Sequence, residues 1–496
     1  MGLVGIGAVT ARARVGSKGL CAATIKIRNA AYPRIAGRPT RYAAFLQLSG
    51  YPNGARVRDV CGLSGLDGTG EELSGRVLDS MKPRKSSGWG WLGALVVSLM
   101  VLQAEEPKNS DLDVIRDESK VPPYQLPPVL VSAEGRPITT AQEWFQVRRP
   151  QLIALFGNLI YGVVPKPEVP VQVQTEILKV DRQFMGGKAT RKDIRLRFHN
   201  AKGEVDLRIL VITPNGSGKP APVFMLHSFS GTRDDGHDPH PDRPGYLRNG
   251  VPIGELLQRG FGFVVVPQSD LTRHNEVEFL KGIHPLFYRE HQSFPKSYEW
   301  GVISAVAWGG SRAMDYLETD SDVDARRVAI MGHSKMGKTA LWTAAQDTRF
   351  ALVISAQSGC GGAALWKRNF GENMEKMVTR FPYWLCRNAA RFARNEDDLP
   401  VDQHELLACI APRPLYVASG VEDLWADPDG EYLSAHHASE VYRLLGKKGL
   451  DSPTPPAVGT ALTEGDIAYH NRLGGHSVEL YDWRQFLGFA ERHFRK

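Results

Sequence analysis

Along the chain, hydrophobic positions change their spacing from one stretch to the next, and each spacing predicts a different element. Between Ala141 and Tyr161 the residues Trp144, Phe145, Val147, Leu152, Ile153 and Phe156 recur at helical intervals and predict a helix with one apolar face. Polar and apolar residues then alternate from Val171 to Ile177 and from Asp193 to Phe198, the pattern of half-buried strands. A further strand is predicted from Asp206 to Ile212. Later runs are apolar throughout: 221–226, 261–266, 327–331, 351–355 and 414–418. Continuous apolar strands belong to a sheet covered on both faces. Helical stretches separate them at Ile253–Arg259, Trp300–Glu318, Gly337–Gln346 and Asp482–Arg495. The expected architecture is α/β in three layers, with a mostly parallel central sheet and helices on both faces.

The front of the chain breaks this regularity. Lys82, Arg84 and Lys85 precede a short apolar run from Gly90 to Leu102, and Ala104 offers a small residue for cleavage before Glu105. Residues 81–104 thus have the anatomy of a secretory signal peptide, and the run is short for a membrane span. Residues 1–80 are rich in Gly, Arg and Ala and show no sustained period. They are expected to be foreign to the native protein or disordered, with translation starting at Met81. Residues 105–130, polar and Pro-rich, read as a tether or an extended wrap, and residues 131–496 as the catalytic domain.

Charge sharpens that division. The whole chain carries +7, but residues 1–104 hold 14 Lys and Arg against 5 Asp and Glu. The remainder is slightly acidic, which removes nucleic acid from the expected partners. Three of the five cysteines, Cys360, Cys386 and Cys409, fall in the expected mature part. Cys360 and Cys386 are read either as a bridge or as buried free thiols.

The strand ending at Met331 runs into Gly332-His333-Ser334-Lys335-Met336-Gly337 and then a helix. A serine on a tight strand-to-helix turn is the nucleophile elbow of α/β-hydrolases, which aims its hydroxyl above the sheet edge. The spacing is G-x-S-x-x-G, one residue longer than usual. His476, in Gly474-Gly475-His476 near the C-terminus, follows in the order nucleophile, acid, histidine. Asp423, after the 414–418 strand, is the expected acid, with Glu422 and Asp427 as rivals on the same loop.

Gly332–Trp342 resembles the nucleophile segment of glucuronoyl esterases, carbohydrate esterase family fifteen, above all bacterial members. Ser358–Leu365, Phe381–Trp384, Leu399–His404, Ala411–Val417, Glu422–Pro428 and Gly474–His476 resemble further motifs of that family in the same order. The resemblance spans roughly residues 140–496. It implies hydrolysis of the ester between 4-O-methyl-glucuronic acid on xylan and lignin alcohols, through an acyl-enzyme. It implies Ser334 as nucleophile, His476 as base and Asp423 as acid. Many relatives carry a second acid where this chain has Gln357. Lys338, Glu372 and Trp425 match positions that contact the uronate. The residue after the nucleophile, usually an arginine that helps bind the oxyanion, is Lys335, which keeps the charge and loses the planar fork.

The loop Asp234–Asp242, with His237 and His240, has metal-ligating residue types but reads as a solvated loop. No metal or cofactor is expected. Expected partners are a glucuronoxylan or lignin–carbohydrate ester, with no stable membrane partner and a monomeric, secreted or periplasmic protein. The rival functions are an acetylxylan or feruloyl-type esterase, and a non-catalytic carbohydrate-binding protein on a hydrolase scaffold.

Overall fold

In a computed structural model, residues 114–216, 218–229, 238–272 and 281–495 are described, together with the backbone of three short strands near the N-terminus. These strands, Val9–Arg14 (β1), Leu20–Ile25 (β2) and Leu48–Ser49 (β3), pair antiparallel in the order β1-β2-β3 within a unit spanning Met1–Asn109. They fall in the stretch where the sequence shows no sustained period. The expected signal peptide at 81–104 lies outside the described residues.

The second unit, Ser110–Lys496, holds a ten-stranded sheet. Its strands are Gln172–Gln183 (β4), Ala189–Asn200 (β5), Gly203–Pro214 (β6), Ala221–Ser228 (β7), Gly262–Pro267 (β8), Val323–His333 (β9), Leu352–Ala356 (β10), Leu415–Gly420 (β11), Ala461–Leu462 (β12) and Ile467–Arg472 (β13). They lie in the order β12-β13-β11-β10-β9-β7-β8-β6-β5-β4. From β13 to β8 every pairing is parallel, and both ends of the sheet are antiparallel.

The pleat sends successive side chains to opposite faces, and the core divides accordingly. Val223, Met225, Val328, Ile330, Val353, Leu415 and Val417 join one buried cluster, and their neighbours Phe224, Ala329, Met331, Leu352, Tyr416 and Ala418 join the other. The first face is covered by Val302–Leu317 (α2), Lys335–Gln346 (α3), Gln403–Ala408 (α5) and Pro428–Leu444 (α6). The second is covered by Ile253–Gln258 (α1) and Leu480–Phe494 (α7). Met374–Arg380 (α4) lies in the long connection between β10 and β11. The result is the three-layer α/β-hydrolase sandwich.

Three expectations need correction, and one open alternative is decided. Strand β4, expected half-buried, is exposed along almost its whole length, with Val173, Ile177 and Val180 at 51%, 53% and 44% exposure. It is an edge strand, and among the described residues nothing packs over it; its interspersed Gln, Glu, Lys and Asp residues keep that edge from pairing with other chains. The helix at 141–161 contains two π segments, Trp144–Arg148 and Gly157–Tyr161. Pro150 has no N–H to close the preceding turn, so the ladder opens and the apolar register shifts; Phe145 turns outward at 44% exposure. Strand β13 and helices α4, α5 and α6 were not expected. Finally, Cys360, Cys386 and Cys409 are buried free thiols, so the unbridged reading of the first two holds.

The Pro-rich stretch wraps rather than dangles from Val114 onward. Ile115 bridges to Phe370 and accepts from Gly371 N–H at 2.8 Å; Glu118 meets Arg368 at 2.7 Å; the Pro127 carbonyl meets His404 Nε2 at 3.0 Å. Among the described residues no helix is long and apolar enough to cross a membrane.

Candidate active site

Ser334 sits between the end of β9 and the start of α3 with φ +58° and ψ −129°. A positive φ in a residue with a Cβ costs about 1–3 kcal/mol and survives only where the surroundings enforce it. Here they do. Ser334 N–H donates to the Ala356 carbonyl at 2.9 Å, and the Ser334 carbonyl accepts from Gly337 and Lys338. A Cβ on Gly332 would lie 2.0 Å from the Met336 carbonyl oxygen, and one on Gly337 would lie 2.9 Å from Ser358 Cβ. The two glycines therefore answer two close approaches, one within the elbow and one between α3 and the loop after β10. The position between them, glycine in the shorter motif, is Met336, which packs against Val302 and Val306 of α2.

Strands β11 and β13 are parallel neighbours, with Gly420 opposite Arg472, so the loops after them leave the same edge side by side. Val421 N–H donates to the Arg472 carbonyl at 2.9 Å and Glu422 N–H to the Gly474 carbonyl at 3.1 Å. A Cβ on Gly420 would come within 2.8 Å of both the Gly474 and Gly475 carbonyls. This stitching brings Asp423 to His476: the imidazole Nδ1 donates to Asp423 Oδ2 at 2.6 Å. The Asp423 side chain is buried, whereas that of His476 is 43% exposed. The His476 ring lies 4.4 Å from that of His333, the residue before Ser334.

Of the rival acids, one is exposed and the other is occupied elsewhere. Glu422 is exposed. Asp427 caps α6 through Gly430 N–H at 2.9 Å and pairs with Arg368 at 2.9 Å. Burial lifts its carboxyl to about 6 against the pull of Arg368. Gln357, at φ +45°, is buried and accepts from His333 Nε2 at 3.1 Å. Burial, with the charge of His476 adding, lowers His333 to about 4, so this imidazole is neutral at ordinary pH.

Lys335 opens α3 and is 1% exposed. Its ammonium lies 4.8 Å from the Trp384 ring centre and 5.0 Å from that of Phe229, within cation–π range of both. Burial, with Lys338 adding, lowers its pKa to about 7. One turn along α3, Lys338 forms a buried ion pair with Glu372 at 2.9 Å and also donates to the Cys360 carbonyl. Glu372 N–H donates to the Trp425 carbonyl at 2.9 Å, which ties the pair to the Asp423 loop. The structure thus brings all seven sequence-predicted residues, Ser334, Lys335, Lys338, Glu372, Asp423, Trp425 and His476, onto connected segments at the C-terminal edge of the sheet.

Two residues that sequence reasoning missed hold these segments. Arg472, 6% exposed, donates through Nε to Asp482 Oδ2 at 2.8 Å, and its other nitrogens reach the carbonyls of Leu473, at 2.7 Å, and Ser477, at 2.5 Å. It clasps the loop that carries His476 from both sides. Glu431 of α6 is fully buried and accepts from Ser358 N–H at 2.7 Å, Gly359 N–H at 3.0 Å and Ser419 Oγ at 2.6 Å. It binds the loop after β10 to the tip of β11. Burial raises its pKa to about 7. The metal reading of 234–242 is partly beyond reach, because Asp234 and His237 lie outside the described residues. Asp238 is spent on Arg191 at 2.6 Å, and no metal-ligating cluster occurs among the described residues.

The family model described as "Glucuronyl esterase, fungi" matches residues 261–446. Carbohydrate esterase MZ0003, from an unknown prokaryotic organism, is 38% identical over 76% of this chain and 91% of its own length. A glucuronoyl esterase from Solibacter usitatus superposes with a TM-score of 0.69 at 39% identity, over 76% of this chain and all of that one. A promiscuous family-fifteen esterase from a marine bacterial metagenome gives 0.68 at 35% identity, over 77% and 100%. The chain therefore belongs to the glucuronoyl esterases, carbohydrate esterase family fifteen, and is a carboxylic ester hydrolase of the α/β-hydrolase fold.

Proposed function

We propose that this protein hydrolyses esters of 4-O-methyl-glucuronic acid on glucuronoxylan, releasing lignin-side alcohols. The observation that carries the reading is the His476–Asp423 contact at 2.6 Å beside a serine held at φ +58° on the elbow. Nδ1–H of His476 is committed to Asp423, which leaves Nε2 as the basic nitrogen toward Ser334. Ser334 Oγ attacks the ester carbonyl while Nε2 takes its proton. The tetrahedral oxyanion is met by backbone N–H groups at the start of α3, by the positive end of that helix and by the Lys335 ammonium. Collapse expels the alcohol, which receives the proton from His476. Water, deprotonated by the same nitrogen, then releases the uronic acid and restores Ser334. Lys338 and Glu372, locked to each other, offer a fixed donor and acceptor to the sugar hydroxyls beside Trp425.

The signal-peptide pattern at 81–104 supports export, and nothing in this chemistry calls for a cofactor. A substrate panel tests the function. Benzyl glucuronate should be hydrolysed well, acetylated xylan and methyl ferulate poorly. Ser334→Ala and His476→Ala should each remove turnover with the fold intact, and the double variant should be little worse than either, because the residues act as one unit. Preference for acetylated xylan, or near-normal kcat in either single variant, would overturn the reading.

A further inference from the structure

We propose that Trp384 is the positioning residue for the Lys335 ammonium: its ring, mounted on the first turn of α2 and backed by Phe381, holds that cation beside Ser334. The oxyanion role of Lys335 rests on the esterase reading; the mounting rests on geometry. The Trp384 ring centre lies 4.8 Å from the Lys335 ammonium. The Phe381 ring stacks on that of Trp384, with centres 3.9 Å apart and planes 5° from parallel. Trp384 N–H donates to the Phe381 carbonyl at 3.0 Å, which closes the turn that brings the two rings together. Helix α2 has no side-chain cap at its start, and the carbonyls of Tyr383 and Trp384 accept from its first N–H groups, Val302 at 2.9 Å and Ile303 at 3.2 Å. A Cβ on Gly301 would lie 2.5 Å from the Trp384 carbonyl oxygen, so this close approach needs glycine there.

The mounting matters because of what stands after the nucleophile. An arginine presents its charge on a rigid planar fork; a lysine is a point charge on a flexible stem, and its neighbours set where it stands. A ring face attracts an ammonium without supplying a counter-charge, so the cation is steadied and still answers an oxyanion. Phe229, directly after β7, supplies a second ring at 5.0 Å, so loss of Trp384 should weaken the hold rather than abolish it. The elbow is part of the same assembly. Met336 packs with Val302 and Val306, and Trp384 packs against that cluster. The elbow, the first turn of α2 and the ring beside Lys335 therefore move together, and a shift of the ring is a shift of the cation.

The test compares Trp384→Leu, which keeps apolar bulk without a ring, with Trp384→Phe, which keeps a ring, in the full-length protein. Position is read by NMR on protein with isotope-labelled lysine. The ε-methylene signal of Lys335, assigned by its loss in Lys335→Ala, is displaced by the ring current of a nearby aromatic. Trp384→Leu should move that signal toward the position of a solvated lysine, and Trp384→Phe should keep most of the displacement. Use is read by single-turnover kinetics on benzyl glucuronate. Trp384→Leu should lower kcat about tenfold with KM little changed, and Trp384→Phe should retain most of the rate. Trp384→Leu added to Lys335→Ala should cost almost nothing more, because the two residues act as one unit. A methylene signal that stays put in Trp384→Leu, or a loss of kcat as large in the Lys335→Ala background as without it, would overturn the proposal. So would a loss carried by KM, which would place the ring on the substrate. Lys335→Ala alone reports on the oxyanion reading: an unchanged chemical step there would dismiss that role, and the methylene signal would still decide what holds the cation.

Discussion

Helix α3 presents two buried lysines one turn apart, and their surroundings could hardly differ more. Lys338 faces a carboxylate, in a buried ion pair with Glu372. Lys335 faces two aromatic rings, and its pKa falls to about 7. A charge tied to a counter-charge is fixed and polarises nothing beyond its partner's reach, which suits the holding of a neutral sugar. A charge sheltered by rings attracts an anion when one forms, which suits an oxyanion. On the proposed mechanism, one helix would supply a binding cation and a reactive cation, with the neighbours separating the two roles.

The largest expected effect comes from breaking the first pair. Lys338→Ala leaves Glu372 buried without its partner, which costs about 3–5 kcal/mol of stability. Chemical denaturation should show it. Replacing both, Lys338→Met with Glu372→Leu, should recover most of the stability while KM stays raised. Recovery of KM with stability would deny the pair its part in sugar binding.

Lys335→Ala should instead lower kcat on the order of 10²-fold with little change in KM or stability, because the charge it meets exists mainly in the transition state. Single-turnover kinetics on benzyl glucuronate would separate this from product release. An unchanged chemical step would leave the backbone as oxyanion donor at this residue.

A gentler change sharpens the contrast through pH. The Lys335 ammonium is present below about 7 and is lost as pH rises through that value, so its contribution to kcat fades on the alkaline side. Lys335→Arg stays charged throughout and should lift the alkaline limb of the profile. Coincident profiles for the two proteins would show that the ammonium does not limit turnover.

The smallest expected effect concerns support rather than chemistry. Arg472→Lys keeps the charge but cannot hold Asp482 and two loop carbonyls at once, and should lower kcat about tenfold through misplacement of His476. KM should change little, and the pH profile should keep its shape. A loss confined to thermal stability would mark Arg472 as purely structural.

Much of this was legible in the sequence because it rests on apolar spacing. The continuous runs of β8, β10 and β11 announce strands buried on both faces, and the elbow announces itself through its glycines. Strand β13 does not, because it buries His470, Asn471 and Arg472. These polar groups read as loop until Asp482, on the next helix, is seen accepting from His470 at 2.7 Å and from Arg472 at 2.8 Å. Helix α6 hides for a similar reason: much of its inward face is Ser434, Ala435, Ala438 and Ser439, too small and polar to make an apolar stripe. Within the site, motif order named Ser334, Asp423 and His476. Arg472 and Glu431 escaped because many of their partners are backbone carbonyls and N–H groups, which leave no mark in a sequence.

Arg368 shows what the N-terminal wrap contributes. Its guanidinium is gripped by Glu118 on one side and Asp427 on the other, and Asp427 in turn caps the helix that follows the Asp423 loop. The wrap is thus a strut of the catalytic apparatus, joined to it by charge rather than by covalent neighbourhood. Where the chain is trimmed sets how firmly that loop is held. A protein cut to begin at residue 131 would keep the whole sheet and every residue of the elbow, yet leave Arg368 with half its grip.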